Sequence, residues 1–440
     1  MNISIKAVDN RPISDEILSE KLKNSIEGKK LSRVLLLPPD LTRLHSYAGK
    51  ITALYYNMLK DKCQVDIMPA LGTHEAMTEE ECLEFFGPDV PYSSVLAHNW
   101  RTDIVKIGQV PSEFVKKVSD GLIDYPIDVE VNKRLLDKSY DLIISIGQVV
   151  PHEVVGMANY TKNILVGCGG KTMINRSHFL GAVYGMERMM GRDHSPVRKV
   201  FDYAEEHFLK DIPLMYVLTV TTVDNTLGKV NLEGLFVGRD RKLFEEAVEL
   251  SQQKNLIFID KPLKKVVVYL DEREFKSTWL GNKAVYRTRM AIADDGELII
   301  VAPGVKKFGE DEAIDKLIRK YGYVGRIKVL EQYKINSDLE ENLSAAAHLI
   351  HGSSDDRFKI TYATEKVSRE EVEGVNFNHI PLSEALKKYD PTKLKDGFNT
   401  LEKAGGPPEE IFYISNPAIG LWASKSLFDR EGSSDEGLHK

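Results

Sequence analysis

Cysteine is scarce in this chain: three in 440 residues, Cys63, Cys82 and Cys168, odd in number, widely spaced and without a C-x-x-C pair. That argues against a disulfide framework or a zinc ribbon and leaves buried thiols as the reading. Positive charge is also in deficit, with 59 Lys and Arg against 66 Asp and Glu, a formal net charge of −7, and no long basic run offsets it. A general nucleic-acid or anionic-membrane binder is therefore not expected. No stretch approaches the roughly 18 apolar residues that a membrane helix requires. The opening MNISIKAVDNRPISDE lacks the apolar stretch of a signal peptide, so the expectation is a cytoplasmic protein with no membrane partner.

The composition that is present, 42% hydrophobic and 28% charged, is that of an ordinary globular chain, and the length fits two large domains. Short β-rich runs alternate with helix-length segments, the pattern of α/β domains with mainly parallel sheets. Ser32 to Leu37, Gln64 to Ala70 and Tyr140 to Gly147 read as strands, with a crossover helix over Ser46 to Lys62. Thr78 and Glu81 form a capping box for a helix that Gly87 ends, and Ser195-Pro196 starts another. A polar stretch precedes the strands KVVVYL and GELIIVAPG, which places a first domain at 1–262 and a second at 263–407. The segment from about 408 to 440, with the apolar IFYISNPAIGLWA, is expected to pack back on the first domain, and its tail from Glu431 to be mobile.

Ligands of open parallel sheets bind outside the carboxyl ends of the strands. Three such ends carry polar groups: Asp40, Thr42 and Arg43 after the first strand, His74 after the second, His152 after the third. One strand-end histidine is more often a loop residue than a catalyst; the repetition changes the odds. Arg43 can hold a carboxylate bidentately, and two imidazoles can exchange protons near neutral pH. Because the C–H of a hydroxy acid is very weakly acidic, two histidines alone are poor tools for removing it as a proton, and a hydride acceptor kept in the site would solve this. The later run G-C-G-G-K-T fails the Walker pattern at Leu165 and the dinucleotide pattern at Thr172, although a glycine-rich backbone can cradle a phosphate without matching either.

These motifs resemble the lactate racemase family, whose members use a nickel-pincer nucleotide. Asp40-Leu-Thr-Arg43 is similar to its D-x-T-R, Gly72-Thr-His74 to its G-x-H, and His152, Lys162 and His178 reproduce its H-x9-K-x15-H spacing. The resemblance implies two α/β domains with the active site in the cleft between them. It implies that Lys162 carries the cofactor, a pyridinium-3-thioamide-5-thiocarboxylic acid mononucleotide, with Asp40 and Thr42 also binding it, and that His178 ligates nickel. His74 and His152 would be the acid/base pair, and Arg43, Tyr286 and Arg287 would bind a small-molecule 2-hydroxy acid. The chain departs from the family where Asn159-Tyr160-Thr161 replaces Gly-Gly-Arg before the lysine, where Met290 stands for a substrate-binding lysine, and where a tryptophan gives way near Asn342.

The expected reaction is inversion at C2 of a 2-hydroxy acid. Lys283, Arg287 and Arg289 favour a sugar (aldonic) acid over lactate, because polar groups left unpaired by a small substrate are costly and a site built for hydroxyls can discriminate by roughly 10⁴-fold. The alternatives are a pyridine-nucleotide dehydrogenase, against which the missing G-x-G-x-x-G counts, and a non-catalytic cofactor-binding relative.

Overall fold

A computed structural model describes residues 2–9, 11–224, 229–402 and 405–429. The chain divides into two compact units, one of residues 1–180 and 189–255, the other of 181–188 and 256–440. The division falls at 255/256, ahead of the expected 262, and adds the short segment 181–188 to the second unit.

In the first unit the strands are β1 (Ile3–Lys6), β2 (Arg33–Leu37), β3 (Gln64–Ile67), β4 (Leu142–Gln148), β5 (Leu214–Asp224) and β6 (Lys229–Gly238), in the sheet order β1-β6-β5-β4-β2-β3. Strands β3, β2, β4 and β5 run parallel, while β6 and β1 close the edge antiparallel. Residues Val34 to Leu37 of β2 are wholly buried, which is why this strand reads as an unbroken apolar run and not as an alternation. The crossover α1 (Ala48–Leu59) lays Ile51, Tyr55 and Leu59 into a core with Val34, Leu36, Ile67, Ile144 and Val217. The capping box at Thr78 and Glu81 opens α2 (Glu79–Phe86), and Gly87, at φ 83°, ends it. Helix α3 (Lys171–Tyr184) follows the glycine-rich run, and α4 (Pro196–Ala204) starts at the Ser195 cap with proline in its first turn.

The second unit has strands β7 (Leu263–Tyr269), β8 (Ile292–Val301), β9 (Lys359–Thr364), β10 (Asn378–Pro381), β11 (Gly397–Leu401) and β12 (Glu409–Ile414), ordered β10-β9-β8-β7-β12-β11 and parallel except for β11. The segment expected to return to the first domain instead belongs here. β12 is interior to this sheet, its apolar Ile411 to Ile414 buried beside β7, and Leu421–Ser424 pairs with Leu256–Ile259. The tail from Glu431 lies outside the described residues. Cys82 and Cys168 are buried and Cys63 half-buried, all as free thiols. No helix among the described residues is long and apolar enough to cross a membrane.

Candidate active site

Parallel pairing of β4 with β2 and of β2 with β3 sets three carboxyl ends side by side. Beyond β2, Asp40 caps the turn Leu41–Ser46: one carboxylate oxygen accepts from Thr42 N at 3.1 Å and Thr42 Oγ1 at 2.5 Å, the other meets His74 Nδ1 at 2.5 Å. Burial alone would push the Asp40 carboxyl up; hydrogen bonds from His74 and Thr42 and the charges of His74 and Arg43 hold it below its ordinary value. An ionised Asp40 fixes the His74 hydrogen on Nδ1 and leaves Nε2 as the lone-pair nitrogen. Of the side chains expected to hold a cofactor, Asp40 is thus bonded to both Thr42 and His74, and Thr42 to Asp40. Arg43 and Thr42 are exposed, as is His74, whose loop is tied down by Gly72 N donating to Gly167 O at 2.8 Å.

His152 is buried, in the short hairpin Pro151–His152 with Gly156–Met157. The Val154 backbone N–H donates to its Nδ1 at 3.1 Å, so the neutral ring carries its hydrogen on Nε2. Burial first, then the Lys162 charge, push this imidazole well below its ordinary value against the opposing pull of Glu153. His178, on α3, has the opposite tautomer: Nδ1–H donates to Ile174 O at 2.6 Å, leaving Nε2 as the lone-pair nitrogen. Burial and the Lys162 charge lower it to about 4. Lys162 is itself lowered to about 8, by burial and then by the Arg43 charge.

The backbone delivers Lys162 in an unusual way. Asn159 and Tyr160 are both left-handed, at φ 66° and 57°. Glycine adopts that conformation most easily, so two residues with side chains hold it here. The Thr161 hydroxyl accepts from Arg198 Nη1 at 2.6 Å, while Arg198 Nη2 donates to Met157 O at 2.7 Å and Asn159 O at 3.2 Å. After Lys162 comes a π-helical turn, Asn163–Gly167, and the Asn163 amide donates to Leu37 O and Ser145 Oγ at 3.0 and 2.9 Å, pinning the lysine's neighbour to the end of β2 and the middle of β4.

The glycine-rich run is used for packing. A side chain at Gly167 would meet Ala70, at Gly169 the Leu165 carbonyl, and at Gly170 the Glu130 carboxylate. That carboxylate also accepts from Thr172 N at 3.0 Å at the start of α3, where a phosphate would otherwise be held. The phosphate-cradle reading of this run is therefore not supported.

Within the first unit, Asp40, Arg43, His152, Lys162 and His178 stand close enough for their charges to act on one another, with His74 joined through Asp40. Sequence reasoning missed two members. Glu153, next to His152, opposes the lowering at His152, Lys162 and His178, and its adjacency was the signal available. Arg198 carries no motif. No group of three or more His, Cys, Asp or Glu among the described residues could hold a metal. One imidazole with its far nitrogen tied to a carbonyl suits a metal whose other ligands arrive with an organic group. A lysine amine near 8 suits covalent attachment of that group, so these residues fit a nickel-pincer nucleotide.

In the second unit, Tyr286 is buried on Lys283–Thr288, its hydroxyl 2.8 Å from His348 Nδ1, and His348 Nε2 is 2.8 Å from the Tyr323 hydroxyl. Arg287, on the same helix, is half-buried. Arg289, 2% exposed, donates to Glu187 at 2.5 Å, Asp355 at 3.2 Å and the carbonyls of His351 and Ser353. It is a structural ion-pair centre and drops out of the expected set of sugar-acid contacts. Asn342 caps the helix Leu343–His351 through Ala345 N at 3.1 Å. His98 is buried between Gly169 O and Asn132.

Compared with curated proteins, the chain has no match. Among solved structures it is similar to a protein from Thermotoga maritima, with TM-score 0.78 and 23% identity over 95% of this chain and 100% of that one. It is also similar to the lactate racemase apoprotein from Thermoanaerobacterium thermosaccharolyticum, with TM-score 0.69 and 18% identity over 94% of each. At these identities the likeness is one of fold. Residues 4–190 match the lactate racemase N-terminal domain, a stretch that holds Asp40, His74, His152, Lys162 and His178. That part of the chain is therefore similar to the N-terminal domain of lactate racemases.

Proposed function

We propose that this protein is a racemase or epimerase that inverts C2 of a 2-hydroxy acid with a nickel-pincer nucleotide. The match of residues 4–190 to the lactate racemase N-terminal domain supports racemase or epimerase chemistry in general. The observation that carries the finer reading is a lysine amine lowered to about 8 beside a histidine, His178, whose Nδ1–H is tied back to Ile174. Lys162 would hold the nucleotide covalently and His178 would ligate its nickel; when bound, the group supplies a reversible hydride acceptor. Arg43 binds the substrate carboxylate through its guanidinium fork. His74 and His152 attend the substrate hydroxyl, and burial around His152 keeps water from the reacting carbon. With Arg289 committed elsewhere, the preference for an aldonic acid over lactate rests on Lys283 and Arg287.

The test is intact-mass and nickel analysis of protein co-produced with the cofactor pathway, followed by a panel of 2-hydroxy acids in heavy water read by NMR and chiral chromatography. The expected results are a mass adduct absent in Lys162→Ala, nickel lost with the adduct kept in His178→Ala, and C2 inversion of a sugar acid faster than of lactate. An unchanged mass in Lys162→Ala relative to loaded wild type refutes the attachment. Release of an intact dinucleotide, with no adduct, establishes the dehydrogenase instead.

A further inference from the structure

We propose that the second unit carries a binding site for a compact phosphate-type anion, inorganic phosphate or a short phosphate monoester, gripped by the guanidiniums of Arg326 and Arg357. The site is a cavity of about 260 Å³, below the roughly 300–1,000 Å³ of pockets for drug-sized ligands. Four arginines line it, Arg188, Arg289, Arg326 and Arg357, against two carboxylates, Glu187 and Asp355. All six belong to the second unit, and none holds substrate or cofactor in the proposed function.

The two carboxylates are already committed. Arg289 donates from Nε to Glu187 Oε1 at 2.5 Å and from Nη2 to Asp355 Oδ2 at 3.2 Å, and the other Asp355 oxygen accepts from the Arg326 backbone N–H at 2.6 Å. Arg357 is fixed by Asp294 Oδ1 at 2.9 Å from its Nε and by the carbonyls of Arg289 and Ile292 at 3.2 and 3.1 Å from its terminal nitrogens, with Glu187 further off at 3.8 Å. Each terminal nitrogen keeps a second hydrogen. Asp294 is 63% exposed, so water screens its hold on the arginine charge.

Arg326 is the least committed of the four. Its Nη1 donates to the last carbonyls of α3, Val183 O at 3.3 Å and Tyr184 O at 3.2 Å, and among the described residues it makes no ion pair and its Nε and Nη2 have no acceptor. That Nε–Nη2 edge is the fork that takes two oxygens of one oxyanion side by side. Gly185, at φ 110°, leaves room for it, since a side chain there would meet Arg326 Nη1 at 2.9 Å.

Charge and shape select the ligand. The wall holds two more positive groups than negative ones, and the excess stays positive when Asp294 is counted. Buried Met186, Met290 and Ile350 supply the apolar remainder, so a charged oxygen inside has the guanidiniums as its partners. A phosphate has oxygens enough to accept from two arginines at once, whereas a planar monocarboxylate is filled by one fork.

The test uses the full chain without cofactor, so its outcome is independent of the epimerase reading. Isothermal titration at constant ionic strength, with inorganic phosphate and separately with glycerol 3-phosphate, should show one site per chain with Kd below about 1 mM for the better of the two, which identifies the source. Acetate should bind about 10-fold more weakly or worse. Arg326→Gln and Arg357→Gln should each weaken phosphate binding by about 10-fold or more, because a hydrogen bond between charged groups is lost, while Arg43→Gln leaves it unchanged. Phosphate should also shield Arg326 of the wild type from phenylglyoxal, read by peptide mass spectrometry, a measurement that needs no variant to fold. The inference is overturned by wild type that binds neither probe up to about 10 mM. Acetate binding as tight as phosphate, equal labelling of Arg326 with and without phosphate, or binding lost in Arg43→Gln and kept in Arg326→Gln overturns it also.

Discussion

A primary amine reacts as a nucleophile only when unprotonated, and an ordinary lysine at pH 7 is almost wholly protonated. Lys162 is lowered to about 8 because burial and the Arg43 charge both disfavour the ammonium, with Glu153 pulling back. An acylating reagent used across a pH series, with peptide mass spectrometry as the readout, should therefore modify Lys162 with a midpoint near 8. Surface lysines should lag toward about 10. A Lys162 midpoint indistinguishable from theirs would remove the physical basis for covalent attachment. The spacing of this lysine to His152 and His178 is what singled it out in the sequence. Its reactivity was not legible there, because Arg43 and Arg198 reach it from distant parts of the chain.

At the scale of elements, the loop before Lys162 holds two successive left-handed residues that are not glycine, Asn159 and Tyr160. Such a pair costs on the order of 1–3 kcal/mol per residue and persists only where its surroundings impose it. Arg198 does so, through Thr161 Oγ1 and the carbonyls of Met157 and Asn159. Tyr160 is further held by stacking on Phe244, with ring centroids 5.0 Å apart. Arg198→Ala should lower the melting temperature by several degrees, since each buried acceptor left unpaired costs about 1–3 kcal/mol. It should also raise the Lys162 labelling midpoint above 8, because the arginine charge is one of the groups that depress it. A midpoint that stays put while the melting temperature falls would show that Arg198 serves the fold alone.

For the whole molecule, stability should depend on pH through buried neutral histidines. His348, 5% exposed in the second unit, is lowered to about 3 by burial and then by the His351 charge. In the unfolded chain it returns to about 6.5, so between that value and its folded one the unfolded state binds the extra proton. Stability is therefore present above pH ~6.5 and lost as pH falls, by roughly 2 kcal/mol at pH ~5 for one such histidine. Urea unfolding at about pH 7.5 and 5 should show His348→Gln less stable than wild type at the higher pH, with the gap narrowing by about 2 kcal/mol at the lower. A gap that does not narrow would mean that His348 is protonated within its Tyr286 and Tyr323 pair.

The sequence by itself determined the local features. Wholly apolar runs such as Val34 to Leu37 become parallel strands, Thr78 with Glu81 becomes a capping box, and polar residues just past strand ends gather at one sheet edge. Each follows from neighbours a few positions apart. Tertiary structure alone decided the rest: that Glu409–Ile414 is interior to the second sheet, that Arg289 is spent on Glu187 and Asp355, and that the glycines near Cys168 serve packing. It also decided which ring nitrogen of each histidine carries the hydrogen, since that depends on whether Asp40, Val154 or Ile174 stands at Nδ1. Spacing can name a histidine, but its tautomer is set by a single hydrogen-bond partner, and that partner is chosen by how the backbone folds around the ring.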